Sequence, residues 1–284
     1  MGLGGYLTWT AAAREIRKVT GTSVKLLPVE QLPNGFLKLI KSEVFINNPD
    51  ILMSDGYEYE NNQIILPLVL NNPNANYCKV DTPEKVIHRY DSHIIEQICE
   101  CYGIKDPDLR CVVNLTIEEE TFGKDFHEAI LYGERFIVIE PFSKDNYTQN
   151  RSYPFEKWQR IVDEISKDIK VVQVGNSGKV LNNIVDLTNE TTFREAIALI
   201  GRADLFLSPE SGLVHGATAV ATKSLVVITG YQDERMVAYP QNINVNISSH
   251  GPCGLKVSCP ECESDASLHD HQEIVKIIRE ELCL

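Results

Sequence analysis

The stretch ADLFLSPESGLVHGATAVATKSLVVITG, residues 203–230, decides the fold. Its apolar run at 205–207 predicts a buried strand that ends at a serine and a proline. The small apolar residues at 213–221 are typical of a helix packed closely on a sheet. A second apolar, β-branched run follows at 224–229. The stretch therefore predicts a strand, a tight turn, a helix and a second strand.

The turn between the predicted strand and helix offers a site for an anion. Ser211 is a good helix N-cap, which leaves the backbone N–H groups of Gly212 and Leu213 at a helix N-terminus. These donors and the helix dipole favour a phosphate or diphosphate. Glu210 stands at the carboxyl end of the strand, where ligands bind in open α/β sheets, and His215 follows one turn into the helix. In the alternative interpretation, Glu210 is a solvated turn residue and His215 is packed in the core.

Composition and charge restrict the class of protein. The 284 residues are 43% hydrophobic and 24% charged, which suits one large or two medium globular domains. The net charge of −13 argues against a non-specific nucleic-acid or anionic-membrane surface. The sequence has no apolar run of about 18 residues and no signal-peptide pattern at its start. We expect a cytoplasmic protein without a transmembrane segment, with a peripheral position at the inner membrane as the alternative.

The second part of the chain alternates strands and helices. Besides the opening stretch, the predicted strands are 136–140, 171–174 and 183–187. The predicted helices are 154–169 and 191–202. Thr192 and Glu195 have the spacing of a capping box at the start of the second helix. This rhythm predicts a parallel sheet covered on both faces, in a unit that begins near Gly133.

The first part of the chain gives a weaker pattern. The predicted strands are 24–29, 43–51, 63–70 and 110–115. The predicted helices are 7–18, 83–103 and 124–132. The glycine-rich turn at 2–5 would follow the first central strand in a doubly wound domain. Either the domain lacks this strand, or the sequence begins inside a longer product. A nicotinamide-dependent oxidoreductase built on this turn is an alternative, but the strand and the acidic residue that it needs are missing.

Residues 209–220, PESGLVHGATAV, resemble the D/E-[ST]-G-x-x-H-x-A-x-A segment of glycosyltransferase family 9, the ADP-heptose:lipopolysaccharide heptosyltransferases. The resemblance implies that the turn holds the diphosphate of a sugar nucleotide. The residues to which it gives this role are Glu210, Ser211, Gly212 and His215. It also implies a GT-B-like α/β architecture, in which two doubly wound Rossmann-type halves face each other across a cleft. Residues 1–133 would present the acceptor, and residues 134–284 would bind the nucleotide sugar.

Further donor-binding residues are implied by the same resemblance. The loop EPFSKDNYTQNRSYP at 140–154 is similar to the family pattern HPGxxxxxKxWP, with Arg151 in the place of the phosphate-binding lysine. An arginine would neutralise the charge that builds on the expelled diphosphate. The other implied donor contacts are Ser143, Lys144, Gly175, Glu190 and Thr191. The alternative for Lys144 and Arg151 is a basic residue in a solvated loop.

The catalytic base is the point at which the sequence departs from the family pattern. The opening GLGGYLTWTAAAREIRK resembles the family's GxGDxxxxTPxxxxLK, whose aspartate is the proposed base, but Gly5 occupies that position and cannot accept a proton. Asp55 and Asp91 are the substitute candidates in the same half. The resemblance implies metal-independent, inverting transfer from ADP-heptose to a glycan, a lipopolysaccharide or a protein. A non-catalytic sugar-nucleotide-binding module is the alternative.

Four cysteines near the end of the sequence have the spacing of a metal site. Cys253, Cys259 and Cys262 lie close together in the chain, and Cys283 follows near its end. Four thiolates suit a tetrahedral zinc or iron ion with a structural role. The resemblance supports such a site, because related protein heptosyltransferases hold iron with four cysteines. A disulfide or plain reduced thiols are the alternatives.

Overall fold

The computed structural model describes residues 2–21, 23–53, 64–72, 75, 78–142, 147–176 and 178–284. The α-helices of these residues are α1 (Leu3–Thr20), α2 (Ile94–Glu100), α3 (Ile117–Asp125), α4 (Phe155–Ile165), α5 (Phe193–Ile200), α6 (Gly212–Ala219), α7 (Glu234–Val237), α8 (Pro260–Leu268) and α9 (His271–Leu282). The strands are β1 (Val24–Gln31), β2 (Leu37–Leu39), β3 (Ile64–Val69), β4 (Cys78–Asp81), β5 (Val86–His88), β6 (Phe136–Ile139), β7 (Lys170–Gln173), β8 (Val185–Asp186), β9 (Leu205–Pro209), β10 (Ser224–Ile228) and β11 (Ile243–Asn246).

The largest sheet has six parallel strands in the order β11-β10-β9-β6-β7-β8. In β6, Phe136 and Val138 belong to one buried apolar cluster, whereas Ile137 and Ile139 belong to a second. Alternate residues therefore face opposite sides of a sheet that is covered on both faces, which confirms the predicted parallel sheet. The strand order reverses between β6 and β9, and the carboxyl ends of these two strands form the crevice in which such sheets bind ligands.

The predicted strands of the six-stranded sheet are confirmed, with shifts of one or two residues at their ends, whereas α4 ends four residues before the predicted end at 169. β11, α8 and α9 lie outside the predicted elements. The capping box at the start of α5 is also confirmed, because the Thr192 hydroxyl accepts from the Glu195 amide and the Glu195 carboxylate accepts from the Thr192 amide. In α4, one face is buried, as the spacing predicts.

A smaller sheet has the order β2-β1-β3, in which β1 and β3 run parallel and β2 is antiparallel to β1. The predicted strands at 24–29 and 63–70 correspond to β1 and β3, and the predicted helix at 7–18 corresponds to α1. Helix α1 packs against α2 and α6. None of the helices in the described ranges combines the length and the apolar character needed to cross a bilayer.

The strand predicted at 43–51 is wrong. Residues Glu43–Phe45 form a 3₁₀-helix, and Asn48 then closes a turn. Its side-chain oxygen accepts hydrogen bonds from the backbone N–H groups of Asp50 and Ile51. An asparagine that binds the backbone two and three residues ahead competes with strand pairing, which explains the error.

The helix predicted at 83–103 is wrong over its first part. β5 pairs with β4 in an antiparallel two-stranded sheet, and the Val86 N–H donates to the carbonyl of Gly254. The helix begins only at α2, because the His93 ring accepts from the Ile95 amide and the Glu96 carboxylate accepts from the His93 amide. The apolar periodicity does not show that the helix begins only at residue 94, because the strand contact with Gly254 is distant in sequence.

The strand predicted at 110–115 is an extended segment with side chains in place of a partner strand. The Cys111 N–H donates to the Thr218 hydroxyl, and the Val112 N–H donates to the Thr10 hydroxyl. The helix predicted at 124–132 begins earlier, at Ile117, behind a capping box of Thr116 and Glu119. It continues into the π-helical segment Phe126–Ile130.

Candidate functional site

The candidate site lies at the carboxyl end of β9, where Glu210 follows the strand directly. The side chain is almost fully enclosed, since the residue is 5% exposed. Neither carboxylate oxygen has a hydrogen-bond partner among the described residues. Burial raises the pKa of Glu210 to about 7, against the opposing attraction of Arg151. A carboxyl group with two unused acceptor atoms is therefore poised to receive hydrogen-bond donors.

Arg151 supplies the positive charge of the site. Its Nε lies 3.9 Å from Oε2 of Glu210. Its guanidinium lies 4.7 Å from the ring centre of Tyr231 and 5.7 Å from that of Tyr147. Both distances are within the range of cation–π attraction, so the two rings hold the cation beside the carboxyl. The side chain keeps 24% of its surface exposed and is therefore accessible to an anion.

The N-terminus of α6 differs in one respect from the sequence prediction. Ser211 occupies the N-cap position, but its side chain does not cap the helix. Instead, its hydroxyl lies 3.0 Å from the hydroxyl of Ser208. The predicted N-cap position of Ser211 is therefore confirmed, although its hydroxyl bonds Ser208 in place of the helix backbone.

The first turns of α1 and α6 touch each other without side chains between them. A Cβ added to Gly4 would lie 2.8 Å from Cα of Gly212 and 3.1 Å from the His215 ring. Any side chain at Gly4 would therefore separate the two helices. Because each helix N-terminus carries a partial positive charge, two of them meet beside the crevice.

His215 lies beneath this contact as a neutral base. Its Nδ1 is 2.5 Å from the hydroxyl of Tyr239, and burial, followed by the charge of Arg151, lowers the pKa of His215 to about 4. The Tyr239 ring also meets the ring of His93 at 4.7 Å. Burial and the neighbouring His215 lower the pKa of His93 to about 3. Both histidines are therefore uncharged at neutral pH.

A second group of predicted residues lies at the neighbouring strand β7. The Gly175 carbonyl accepts from the Asn189 N–H, which brings Glu190 and Thr191 beside the end of β7. A Cβ added to Gly175 would lie 3.3 Å from the Glu140 side chain. Glu140 also approaches Ser208, with an Oε2–Oγ distance of 3.4 Å. Glu140, which no sequence motif singles out, thus lies between Gly175 at the end of β7 and Ser208 in β9, the strand that Glu210 follows.

Of the remaining predicted donor-binding and catalytic residues, the structure describes only Asp91. Ser143, Lys144 and Asp55 lie outside the described residues. Asp91 is exposed and paired with Arg89, at distances of 2.6 and 2.9 Å. These hydrogen bonds lower the pKa of Asp91, which makes it a weaker base than a free carboxylate.

Several residues of the site escape sequence reasoning. Tyr147, Tyr231 and Tyr239 reach it from separate loops. His88 in β5 lies within the influence of the Arg151 cation. Burial, followed by the charge of Arg151, lowers the pKa of His88 to about 4. The only sequence signal for these residues is their aromatic or imidazole chemistry, since their proximity to Arg151 is a product of the fold.

The cysteine site includes a histidine that the sequence analysis missed. Nε2 of His250 lies 3.5 Å from Sγ of Cys262 and 4.0 Å from Sγ of Cys259. Sγ of Cys253 lies 3.5 Å from Sγ of Cys262, and a hydrogen bond from Cys262 lowers the pKa of Cys253 to about 6. We call these four residues the cysteine cluster. By contrast, the Cys283 thiol is exposed, lies near the carbonyl of Glu280 and does not belong to it.

The cysteine cluster has the chemistry of a metal site. Nδ1 of His250 lies 2.9 Å from the carboxylate of Asp265, which turns Nε2 toward the thiols. Carboxylates orient metal-binding histidines in this way. Three sulfurs and one imidazole nitrogen suit a tetrahedral ion such as zinc. The ligand atoms of His250, Cys259 and Cys262 lie within 4.8 Å of one another, and the Cys253 thiol adjoins that of Cys262. These residues fit a metal, with His250 in the place predicted for Cys283.

The chain is similar to known proteins in sequence and in fold. The model of glycosyltransferase family 9 (heptosyltransferase) matches residues 79–265. No curated protein sequence matches the chain. The fold is similar to that of a family 9 glycosyl transferase from Veillonella parvula, with 12% identity, coverage of 100% of this chain and 95% of that chain, and a TM-score of 0.68.

Two further solved structures share the fold. One is the iron-containing dodecameric glycosyltransferase TibC from enterotoxigenic E. coli, with 14% identity, coverage of 99% of this chain and 74% of that chain, and a TM-score of 0.63. The other is ADP-heptose lps heptosyltransferase II from E. coli, with 13% identity, coverage of 68% and 62%, and a TM-score of 0.52. The expected GT-B-like architecture is confirmed. Because the family model spans well over half of the sequence and includes both Arg151 and Glu210, the chain belongs to glycosyltransferase family 9.

Proposed function

We propose that the protein transfers a sugar, in the first instance a heptose, from a nucleotide-diphosphate donor to a glycan, lipopolysaccharide or protein acceptor. The reaction proposed is a metal-independent, inverting displacement. The observation that carries the proposal is the position of Arg151, a partly exposed cation held beside a buried carboxyl at the carboxyl end of the central strands. Membership of family 9 supports glycosyl transfer as the reaction class.

Arg151 is assigned to the diphosphate. When the bond between the sugar and the diphosphate breaks, the electron pair stays on the leaving oxygen, and the negative charge there increases. A guanidinium stabilises that charge with parallel hydrogen bonds, and the N-terminus of α6 adds backbone N–H donors. The residues beside the end of β7, Gly175, Glu190 and Thr191, are assigned to the nucleoside.

Glu210 is assigned to the transferred sugar rather than to the phosphates. Its two carboxylate oxygens lack partners among the described residues and accept hydrogen bonds. Sugar hydroxyls supply donors, whereas a diphosphate supplies only negative oxygens that a carboxylate repels. The sugar therefore fits beside Glu210, with its diphosphate toward Arg151.

The acceptor side supports a second candidate function, a sugar-nucleotide-binding module without turnover. Gly5 lies in the first turn of α1, where the family pattern has its aspartate, and Asp91 is paired with Arg89. No base is assigned, because Asp55 lies outside the described residues. Residues 1–133 are proposed to present the acceptor, in the cytoplasm or at the periphery of the inner membrane.

The test is calorimetric titration with ADP, followed by a turnover assay with ADP-heptose. Arg151→Ala should weaken ADP binding by roughly 10- to 150-fold, or about 1.5–3 kcal/mol, because a charge-assisted hydrogen bond is lost. Arg135→Ala is the control, since Arg135 precedes β6 at the opposite end of the sheet and pairs with Asp204. Equal ADP affinity of both variants would contradict the donor site. ADP-heptose binding without turnover would favour the module.

We also propose that the cysteine cluster holds a structural zinc or iron ion. The ion would crosslink segments that carry few apolar contacts, with Asp265 orienting the histidine ligand. Metal analysis of the purified protein should find about one ion per chain, and Cys262→Ser should lose it. Cys283→Ser, the matched control, should keep it. An intact Cys253–Cys262 disulfide in the purified protein would contradict the metal site.

A further inference from the structure

Asn150 lies between the proposed diphosphate site and the cysteine cluster. The residue directly precedes Arg151 and is 7% exposed. Its side-chain Nδ2 donates to the carbonyls of Leu255, at 2.7 Å, and Val257, at 2.8 Å. Its Oδ1 accepts from the backbone N–H of Cys259, at 3.0 Å. All three contacts of this amide therefore fall on the segment 255–259.

That segment connects the ligands of the cysteine cluster. Cys253 lies just before it, and Cys259 lies at its end. A metal ion held by both thiolates would close the loop between them, and closing a loop restricts the conformations of the residues within it. Leu255 and Val257, whose carbonyls bind Asn150, are inside this loop.

The backbone on the other side of Asn150 is also fixed. Its carbonyl accepts from the hydroxyl of Thr229, at 2.6 Å, just beyond the end of β10. The hydroxyl of Thr148 donates to the Leu255 carbonyl at 2.9 Å and makes a second link to the same loop. The backbone that carries Arg151 is therefore hydrogen-bonded to the residue after β10 at one point and to the loop 253–259 at several others.

We infer that Asn150 couples the cysteine cluster to the diphosphate site, so that the metal-loaded protein binds a nucleoside diphosphate more tightly than the metal-free protein. The inference rests on the proposed donor role of Arg151. Asn150 is a positioning residue here, because it acts on the ligand only through Arg151. Coupling of this kind is reciprocal: the diphosphate must tighten metal binding by the same factor.

The experiment measures ADP affinity by calorimetry in zinc-loaded and EDTA-treated protein. We expect the loaded wild-type protein to bind ADP roughly tenfold more tightly, within the usual range of such couplings. In Asn150→Ala, the ratio of ADP affinities with and without zinc should fall to about one, while the protein still takes up zinc. Asn182→Ala, an exposed asparagine that bonds Gln159, is the matched control and should keep the full ratio.

Zinc affinity, measured by competition with a chromophoric chelator, gives the reciprocal readout. Saturating ADP should raise zinc affinity in the wild type by the same factor and should have no effect in Asn150→Ala. A merely structural asparagine would weaken ADP binding equally with and without zinc. An unchanged ratio in the variant would therefore overturn the inference. If Asn150→Ala does not fold, Thr148→Val, which removes one link to Leu255, should reduce the ratio, and a full ratio there would overturn it.

Two outcomes in the wild type separate this inference from the proposed function. ADP affinity that is equal with and without zinc, or a failure to bind zinc, would overturn the coupling and leave the donor site intact. A failure to bind ADP both with and without zinc would overturn the donor site and the coupling together.

Discussion

The two main sheets differ in how completely they are buried. All four residues of β6 in the six-stranded sheet are inaccessible to solvent. In the three-stranded sheet, Ile64 of β3 is 54% exposed, and Leu37 and Leu66 are also largely accessible. Parallel sheets are normally covered on both faces, whereas sheets with antiparallel strands can face water on one side. The candidate site residues Arg151 and Glu210 stand at the carboxyl edge of the buried sheet.

A pair of large-to-small substitutions tests this difference most strongly. Phe206→Ala in β9 removes a fully buried ring and should cost roughly 3–5 kcal/mol of unfolding free energy. Leu66→Ala in β3 removes a side chain that is already partly in water and should cost roughly 1 kcal/mol or less. Equilibrium urea unfolding of both variants measures the two losses. Similar losses would show that side chains in the two sheets contribute alike to the unfolding free energy.

The buried ion pair between Arg194 and Glu119 is the next test, because it joins α5 to the segments before β6. Arg194 is almost fully buried, contacts Glu119 at 2.6 and 2.8 Å, and also donates to the carbonyls of Glu43 and Asn114. Glu119→Gln leaves this buried cation without a counter-charge and should cost about 3 kcal/mol. Glu134→Gln, in an exposed pair with Lys170, should cost less than about 1 kcal/mol. A cost for Glu119→Gln no larger than that of the control, in urea unfolding, would remove Arg194 as a tie between the two regions.

The pH dependence of stability gives a further test of the buried region. Burial raises the pKa of Glu210 from 4.5 to about 7, so its neutral form stabilises the folded state fully below pH 4.5 and that stability is lost as pH rises through 7. The unfolding free energy of the wild type relative to Glu210→Gln should therefore fall by up to about 3 kcal/mol between pH 4.5 and 8. Urea unfolding at a series of pH values measures this.

Asp91 sharpens the comparison, because its pKa is shifted in the direction opposite to that of Glu210. Hydrogen bonds from Arg89 lower the pKa of Asp91, so its contribution is present above the usual value of 3.8 and is lost as pH falls through the lowered pKa. Asp91→Asn should therefore lower the unfolding free energy by a constant amount at neutral pH, and by less as pH falls through the lowered pKa. A pH profile with the same sign for Asp91 and Glu210 would contradict the contrast between a buried and an exposed carboxyl.

The same contrast explains how far the sequence predicts the structure. Strands buried on both faces are continuous apolar runs, so β6, β9 and β10 are predicted from composition alone. The extended segment at 110–115 is instead held by hydroxyls of Thr10 and Thr218, which are far away in sequence. No local pattern contains such contacts. The sequence therefore predicts β1, β3 and α1 in this region but gives errors at 43–51, 83–103, 110–115 and 124–132.

The site is predicted in part for a similar reason. Arg151 and Glu210 are found because each lies in a motif whose order is local. Tyr231 and His250 are missed because only the fold brings them to Arg151 and to the cysteines. Conversely, the sequence groups Cys283 with the other cysteines as a fourth ligand, but the fold does not bring it to the cysteine cluster.

The contact between Gly4 and Gly212 has a further mechanical consequence. With hydrogen atoms as the only side chains there, the spacing of α1 and α6 is set by backbone thickness, which does not compress. The two helices therefore cannot approach each other more closely at this point, and the position of the His215 ring relative to α1 is fixed by the same contact.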